Sequence, residues 1–404
     1  MKNAFSSAVL VGAVAVSATP YGPLNKWGSG GGGSQPSASS EASSTASSWN
    51  SGSTAHPVGY GQTPFKFPLS NGFPDVDNAT LRGIEETAQG TLPNGALPTA
   101  FQNPAGTTTI FELIAFNELF EVAFFSSLIY NITNNVEGFG IGSDVLKDYT
   151  LLALNAVLAQ EELHNLGANG ILAAAGQEII TPCEYVFPTA KFDDAIAFAR
   201  TFTDVVLSTL QAGQAGLAAG GDDEFLTLLG AVQGQEGEQN GFYRDLLNLI
   251  PSAAPFLTLG APQFAFSTLN QNVIVNGTCS GPGNDLLFKS IPIFGVLTIT
   301  TDPSKIILAD TNLSFSVETP SSASDVSAWS VAFLNQQNVP VISKVTNVKV
   351  NNGVATFDAW FPAGTNIMAA LTISAVVQGD ASKLTSVAEV AAATIFGPGL
   401  IEIN

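Results

Sequence analysis

Residues 110–134 read IFELIAFNELFEVAFFSSLIYNITN, a run without glycine or proline that is long enough for about seven turns of helix. Ile114, Glu118, Glu121, Phe125 and Leu128 follow at steps of four and three and so share one stripe of that helix. Leu113, Phe116, Phe120 and Phe124 crowd the stripe beside it. A helix that is apolar on most sides is buried, so its carboxylates must be solvated, paired or bound to something. No lysine or arginine lies between Arg82 and Lys147, so a cationic partner has to come from elsewhere in the chain.

Three further helical patterns follow, over about residues 143–175, 192–219 and 222–249, the last with Asp222 or Asp223 placed as N-cap. Four helices of this length predict a bundle, and the loop QEIITPCEYVFPTAK between the second and third suits a bundle with one long connection. The second helix carries QEELH, which sets Glu161 and His164 three residues apart on the face of Val157, Ala168 and Ile171. A Glu-x-x-His pair on a bundle helix is how carboxylate-bridged di-iron and di-manganese sites present two ligands, with a single Glu from each alternate helix. On the fourth helix the corresponding slot reads Glu236-x-x-Gln239, an amide in place of imidazole. The third has no glutamate in its central part and offers Asp204, Gln211 and Gln214.

The chain has two histidines, and His56 falls in a Gly/Ser-rich tract, so a symmetric site with one His per metal is not available within one chain. The cofactor expectation is therefore one iron, manganese or zinc ion, held weakly or not at all. Buried carboxylates at Glu118, Glu121, Glu161 and Glu236 can be compensated by such an ion, by a proton shared between them, or by Arg200 or Arg244 reaching in.

Around the helices, 404 residues with 45% hydrophobic and 11% charged content allow two domains, each with its own core. The formal net charge of −20 argues against nucleic acid and anionic membrane surfaces as partners. Residues 1–18 read as a secretory signal peptide, with Lys2, an apolar run and a small-residue exit at Ala18, and residues 19–63 as a flexible tether. A Pro-rich segment with a helical candidate at 77–88 wraps the bundle assigned to 64–250, and 251–263 form a stiff connector. From about Phe264 the runs VIVNGT, FGVLTIT, KIILAD, LSFSVE, WSVAFL, VPVIS, VATFDAWF and LTISAVV predict a β-sandwich over 264–404, with Asn352-Gly353 as a hairpin turn.

Export agrees with four Asn-x-Ser/Thr acceptors, Asn78, Asn131, Asn276 and Asn312, and with a single cysteine pair, Cys183 and Cys279, expected to form a disulfide. The terminal LIEIN lacks the tail of a lipid anchor. Trp329 and Trp360 offer either sandwich anchors or a sugar-stacking platform. There is no G-x-S-x-G elbow, Walker loop or Cys-x-x-Cys pair.

The segments AQGTLPNG (88–95), IAFNELFEVAFFSSLIYNITNN (114–135), AVLAQEELHNLGAN (156–169) and PCEYVFP (182–188) resemble the secreted ferritin-like proteins of fungi, known as stress-response or late sexual-development proteins and distantly similar to plant desiccation-related proteins. The likeness covers roughly residues 75–250. It implies a ferritin-like four-helix bundle with Glu118 or Glu121, Glu161, His164 and Glu236 at ligand positions. Gln239 stands where a His is expected, and Gln211 or Ser208 lies near the third-helix slot. Three functions are then open: a secreted stress or development protein with a degenerate metal site, a metal oxidase or peroxide-handling enzyme, and a cell-wall polysaccharide binder that uses the β-region. The missing His and Glu favour the first over the second.

Overall fold

In the computed structural model, residues 64–404 apart from Pro320 are described; the expected signal peptide (1–18), tether (19–63) and His56 lie outside the described residues. Helix α1, Asn78–Ala88, starts where Asp77 accepts a hydrogen bond from the Thr80 amide and stops at Gln89 in a left-handed conformation. Helix α2, Pro104–Thr133, begins earlier than the apolar run, because Asn103 caps it and Pro104 fits its first turn. Helix α3, Asp144–Ala174, is capped by Ser143, and α4, Phe192–Gly220, ends on Gly221 at φ 84°. Helix α5, Leu226–Leu246, follows a single 3-10 turn at Asp223–Phe225.

The N-cap expected from Asp222 for the last long helix is corrected by where its carboxylate goes. Asp222 makes no capping bond to its own turn; it accepts from the amides of Gln102 (2.6 Å) and Asn103 (3.0 Å) and from the Thr107 hydroxyl (2.5 Å). It therefore ties the start of α2 to the α4–α5 corner. The approach is close enough that a Cβ on Gly220 would lie 2.9 Å from Asn103 Cβ.

Helix α2 packs against α3 and α4, and α4 against α5. By length and composition α2 is apolar enough to cross a membrane, but its neighbours bury most of it. Its rings mesh with α4: Phe120 lies 4.9 Å from Phe202, and Phe124 lies 5.2 Å from both Phe198 and Phe202. Truncating one such buried ring to alanine costs about 3–5 kcal/mol.

The expectation that strands run from Phe264 is corrected. Residues 262–290 form two more helices, α6 (Pro262–Asn272) and α7 (Pro282–Ser290), each opened by a proline. The run VIVNGT is the exit of α6, where Ile274 makes only an isolated bridge to Tyr185. The disulfide Cys183–Cys279 is present, and it joins the α3–α4 loop to the α6–α7 loop within the helical region. Regular pairing starts at β1, Thr298–Ile299, and continues through β2 (Asp310–Glu318), β3 (Ser330–Asn335), β4 (Val341–Asn351), β5 (Val354–Pro362), β6 (Ala370–Val377) and β7 (Thr394–Ile403).

These strands make one antiparallel, nearly closed seven-stranded sheet in the order β1-β2-β5-β4-β3-β6-β7. The Asn352-Gly353 hairpin joins β4 to β5, with Asn351 paired to Val354 and φ positive at both turn residues (50° and 78°), as the twist of a tight hairpin requires. Trp329 is buried in the sheet core against Phe357 and Phe396, whereas Trp360 is about half exposed.

The sheet shares a core with the helices. Val205 of α4 and Phe264 of α6 pack with Leu334, Ile373 and Leu400 of the strands, and the connector is pinned by Thr258, which donates to Leu371 O and accepts from the Gln336 amide.

Candidate metal centre

Glu118, Glu161, His164 and Glu236 come together from α2, α3 and α5, each offering a ligand atom within 4.8 Å of the others. Two of the helices do this through i, i+3 spacing: Glu161 and His164 descend one face of α3, and Glu118 and Glu121 one face of α2. His164 Nδ1 lies 2.9 Å from Glu161 Oε2, 3.5 Å from Glu236 Oε1 and 3.6 Å from Glu118 Oε2. All four glutamates, including Glu121, are at most 1% exposed.

Four ionised carboxylates beside one imidazolium would leave a net charge of about −3 in a dry interior, which folding cannot carry without a proton or a cation. Burial first pushes up the carboxyls of Glu121, Glu161 and Glu236, Glu121 and Glu161 strongly; the Glu236 charge adds to this for Glu121 and Glu161, and the Glu118 charge adds to it for all three. Burial alone would depress the His164 imidazolium. The Glu161 charge and its hydrogen bond, with the Glu118 and Glu236 carboxyls close by, together outweigh it and hold its pKa well above the usual range.

No arginine supplies the missing charge. Arg200 and Arg244 instead interact with Asp204 and Glu402, where β7 meets α4 and α5. The sequence expectation that Arg200 or Arg244 enters the glutamate cluster is corrected on that ground.

The donor set fits a first-row transition ion. Three carboxylates and one imidazole are the ligand types taken by iron, manganese and zinc. Ligand atoms about 2.0–2.2 Å from such an ion stand at most about 4.4 Å apart, so these groups need only small shifts to meet on one. Glu118 Oε2, Glu121 Oε2 and both oxygens of Glu236 are buried with no hydrogen-bond partner among the described residues, and lone pairs left dry in that way are costly.

The remaining sequence candidates divide. Gln239 is at the site, donating to Glu161 Oε1 at 2.5 Å while its own oxygen accepts from Tyr243 at 3.2 Å. This turns the amide donor toward the glutamates and its acceptor away from them. Gln211 is not at the site: it donates to Thr258 O and accepts from Gln337 at the junction with the sheet, and Ser208 donates to Val205 O. Among the described residues helix α4 adds nothing to the four-residue group. Glu121, a sequence candidate for the site, falls outside the four-residue group and is held by Asn117, which donates to it at 2.7 Å.

Asn117 and Tyr243 escaped the sequence reading, although each lies four residues from its partner on the same helix, a spacing that points to a supporting bond. Of the glycosylation acceptors, Asn78, Asn276 and Asn312 are exposed and Asn131 is half-buried in α2. No protein-family model matches the chain, and a search of curated proteins finds no match.

Proposed function

We propose that this chain is a secreted ferritin-like protein of the stress-response or sexual-development kind, in which a four-helix bundle of α2–α5 holds one iron, manganese or zinc ion at Glu118, Glu161, His164 and Glu236. The observation that carries the reading is the convergence of these four buried groups, with oxygens of Glu118 and Glu236 left unpartnered. The likeness of residues 75–250 to that fungal family supports it. So does the disulfide, which suits an oxidising compartment.

When bound, such an ion supplies Lewis-acid or one-electron chemistry. Glu161 is oriented from both sides, by His164 and by Gln239, and Glu121 is fixed by Asn117. Gln239 presents N–H where a second ion would need a lone pair, so the residues favour one ion over two. The reading is accordingly a metal-binding protein with no strong catalytic activity of a two-metal type.

A second reading has its own support. The short Gln239–Glu161 and His164–Glu161 contacts also suit a proton-sharing network without metal. The metal content of the full chain purified without chelator, and its uptake of Fe(II), Mn(II) and Zn(II), separate the two. His164→Ala should abolish uptake and lower the melting temperature only in metal-containing buffer. An equal loss of stability with chelator present, in a protein that takes up no ion, refutes the metal reading and leaves the network.

A further inference from the structure

Beside His164 the helices leave a cavity of about 410 Å3 between α3, α5 and the segment that follows α1, with Phe111 and Ile114 of α2 and Leu210 of α4 also on its walls. Its volume lies in the range of small-molecule sites, about 300–1,000 Å3. Among the described residues no Asp, Glu, Lys or Arg lines it; the polar groups on its walls are Thr91, Gln160, Gln235 and His164. Gln235 donates to Gln160 at 2.8 Å, so the amides form a joined pair at one side of an otherwise aliphatic space.

Two glycines in the interior of α3 keep that space open. A Cβ at Gly170 would meet nothing within 4 Å, and one at Gly167 would meet only Leu92 Cδ2, at 3.8 Å. Neither residue has the positive φ that would call for glycine, and glycine weakens a helix interior, so local structure gives no reason for either. Room in the cavity does.

We propose that this cavity binds a neutral, mainly aliphatic small molecule carrying one hydroxyl or carbonyl group, with that group held toward Gln160, Gln235 and His164. An ionic head would lose its water among these walls, and the one charge there, the His164 imidazolium, is already taken up by Glu161 at 2.9 Å, whereas an alcohol or carbonyl finds amide and imidazole partners. His164 is the one residue shared by the cavity and the four-residue cluster, so the polar end of the molecule would stand beside the metal centre. That neighbourhood rests on the metal reading; binding in the cavity does not.

Calorimetric titration of the full chain tests the proposal, with 1-decanol as the neutral probe and decanoate as its charged counterpart. One decanol should bind per chain, decanoate at least tenfold more weakly, and decanol binding should persist after chelator treatment. Gly167→Leu and Gly170→Leu place a side chain in the cavity and favour the helix, so both should fold, keep the metal content and bind decanol at least tenfold more weakly. Absence of saturable decanol binding, equal affinity for decanoate, or decanol affinity unchanged in both leucine variants overturns the inference. Loss of decanol binding in the leucine variants of a protein that holds no metal sustains the cavity and removes only the metal reading.

Discussion

Replacing Asp222 by alanine separates two roles for that residue, because a local N-cap and a tie across the fold differ in size and in place. Loss of an ordinary N-cap costs about 1 kcal/mol and loosens the helix that follows. In the structure Asp222 is fully buried, and its carboxylate accepts three hydrogen bonds from the Gln102 and Asn103 amides and the Thr107 hydroxyl. Hydrogen bonds to a charged group contribute about 1.5–3 kcal/mol each, but the losses do not add. Gln102 is exposed and Asn103 half-buried, so water can replace the carboxylate at their amides, whereas Thr107 is 1% exposed and its hydroxyl would be stranded.

The Asp222→Ala variant is therefore expected to lose about 3 kcal/mol, with Asp222→Asn, which keeps one acceptor, losing roughly half as much. Urea unfolding followed by tryptophan fluorescence measures the total, and amide hydrogen exchange locates it. Protection should fall over the first turns of α2, residues 104–108, more than over 226–230. A loss near 1 kcal/mol with the exchange change confined to the start of α5 would refute the tie and restore the local cap.

Three other outcomes follow from the structure. Burial pushes Glu112 and Glu162 up to about 7 from the usual 4.5, so the folded state keeps protons that the unfolded chain releases; their contribution to stability should be full below pH 4.5 and be lost as pH rises to about 7. After allowance for solvent the fall is at most about 2 kcal/mol for Glu162, and Glu162→Gln should reduce the slope in melting curves between pH 5 and pH 7.5 while Glu112 keeps its share; an unchanged slope counts against the assignment. Cys183→Ala with Cys279→Ala opens a loop of 96-residue separation and should cost about 4–5 kcal/mol by loop entropy, read by urea unfolding against the parent, with no loss meaning that the bridge restrains nothing. Gly353→Val forces a branched residue to φ 78° in the β4–β5 turn and should lower stability by about 1–2 kcal/mol, whereas Lys349→Ala on the same hairpin should change it by less than about 0.5 kcal/mol.

Much of the helical region was legible because its signals are local. The i, i+3 pairs of α2 and α3 placed Glu118, Glu121, Glu161 and His164 on inward stripes, and chain length between breakers gave α1 to α5 within a few residues, apart from the earlier start of α2. The strand reading failed where hydrophobic runs are short. The β-branched VIVNGT is a helix exit, and the β7 segment TIFGPGLIEI, absent from the expected strands, carries Gly397, Pro398 and Gly399, which break a strand pattern. Glycine is required at 399 for a different reason: a Cβ there would meet Ser374 Oγ of β6 at 2.5 Å. The Asp222 tie and the position of Gln211 depend on contacts 47 or more residues away in sequence, which no local period encodes.

The two buried charge clusters explain each other. Among the described residues Arg200 and Arg244 are the only buried basic side chains, and both are committed to the junction of helices and sheet with Asp204 and Glu402. Burial first, and then the Asp204 charge, push Glu402 up to about 8 in spite of the two arginines, so even this balanced group prefers one proton between its acids at neutral pH. The glutamate cluster has greater need and fewer means: four carboxyls, one histidine and no arginine. Moving an arginine into it would strip Asp204 and Glu402 of theirs and leave buried acids uncompensated beside the sheet, a cost of several kcal/mol. The fold thus reserves its buried arginines for joining its two parts, and the centre between α2, α3 and α5 has His164 with a bound ion or its own protons left to balance its charge.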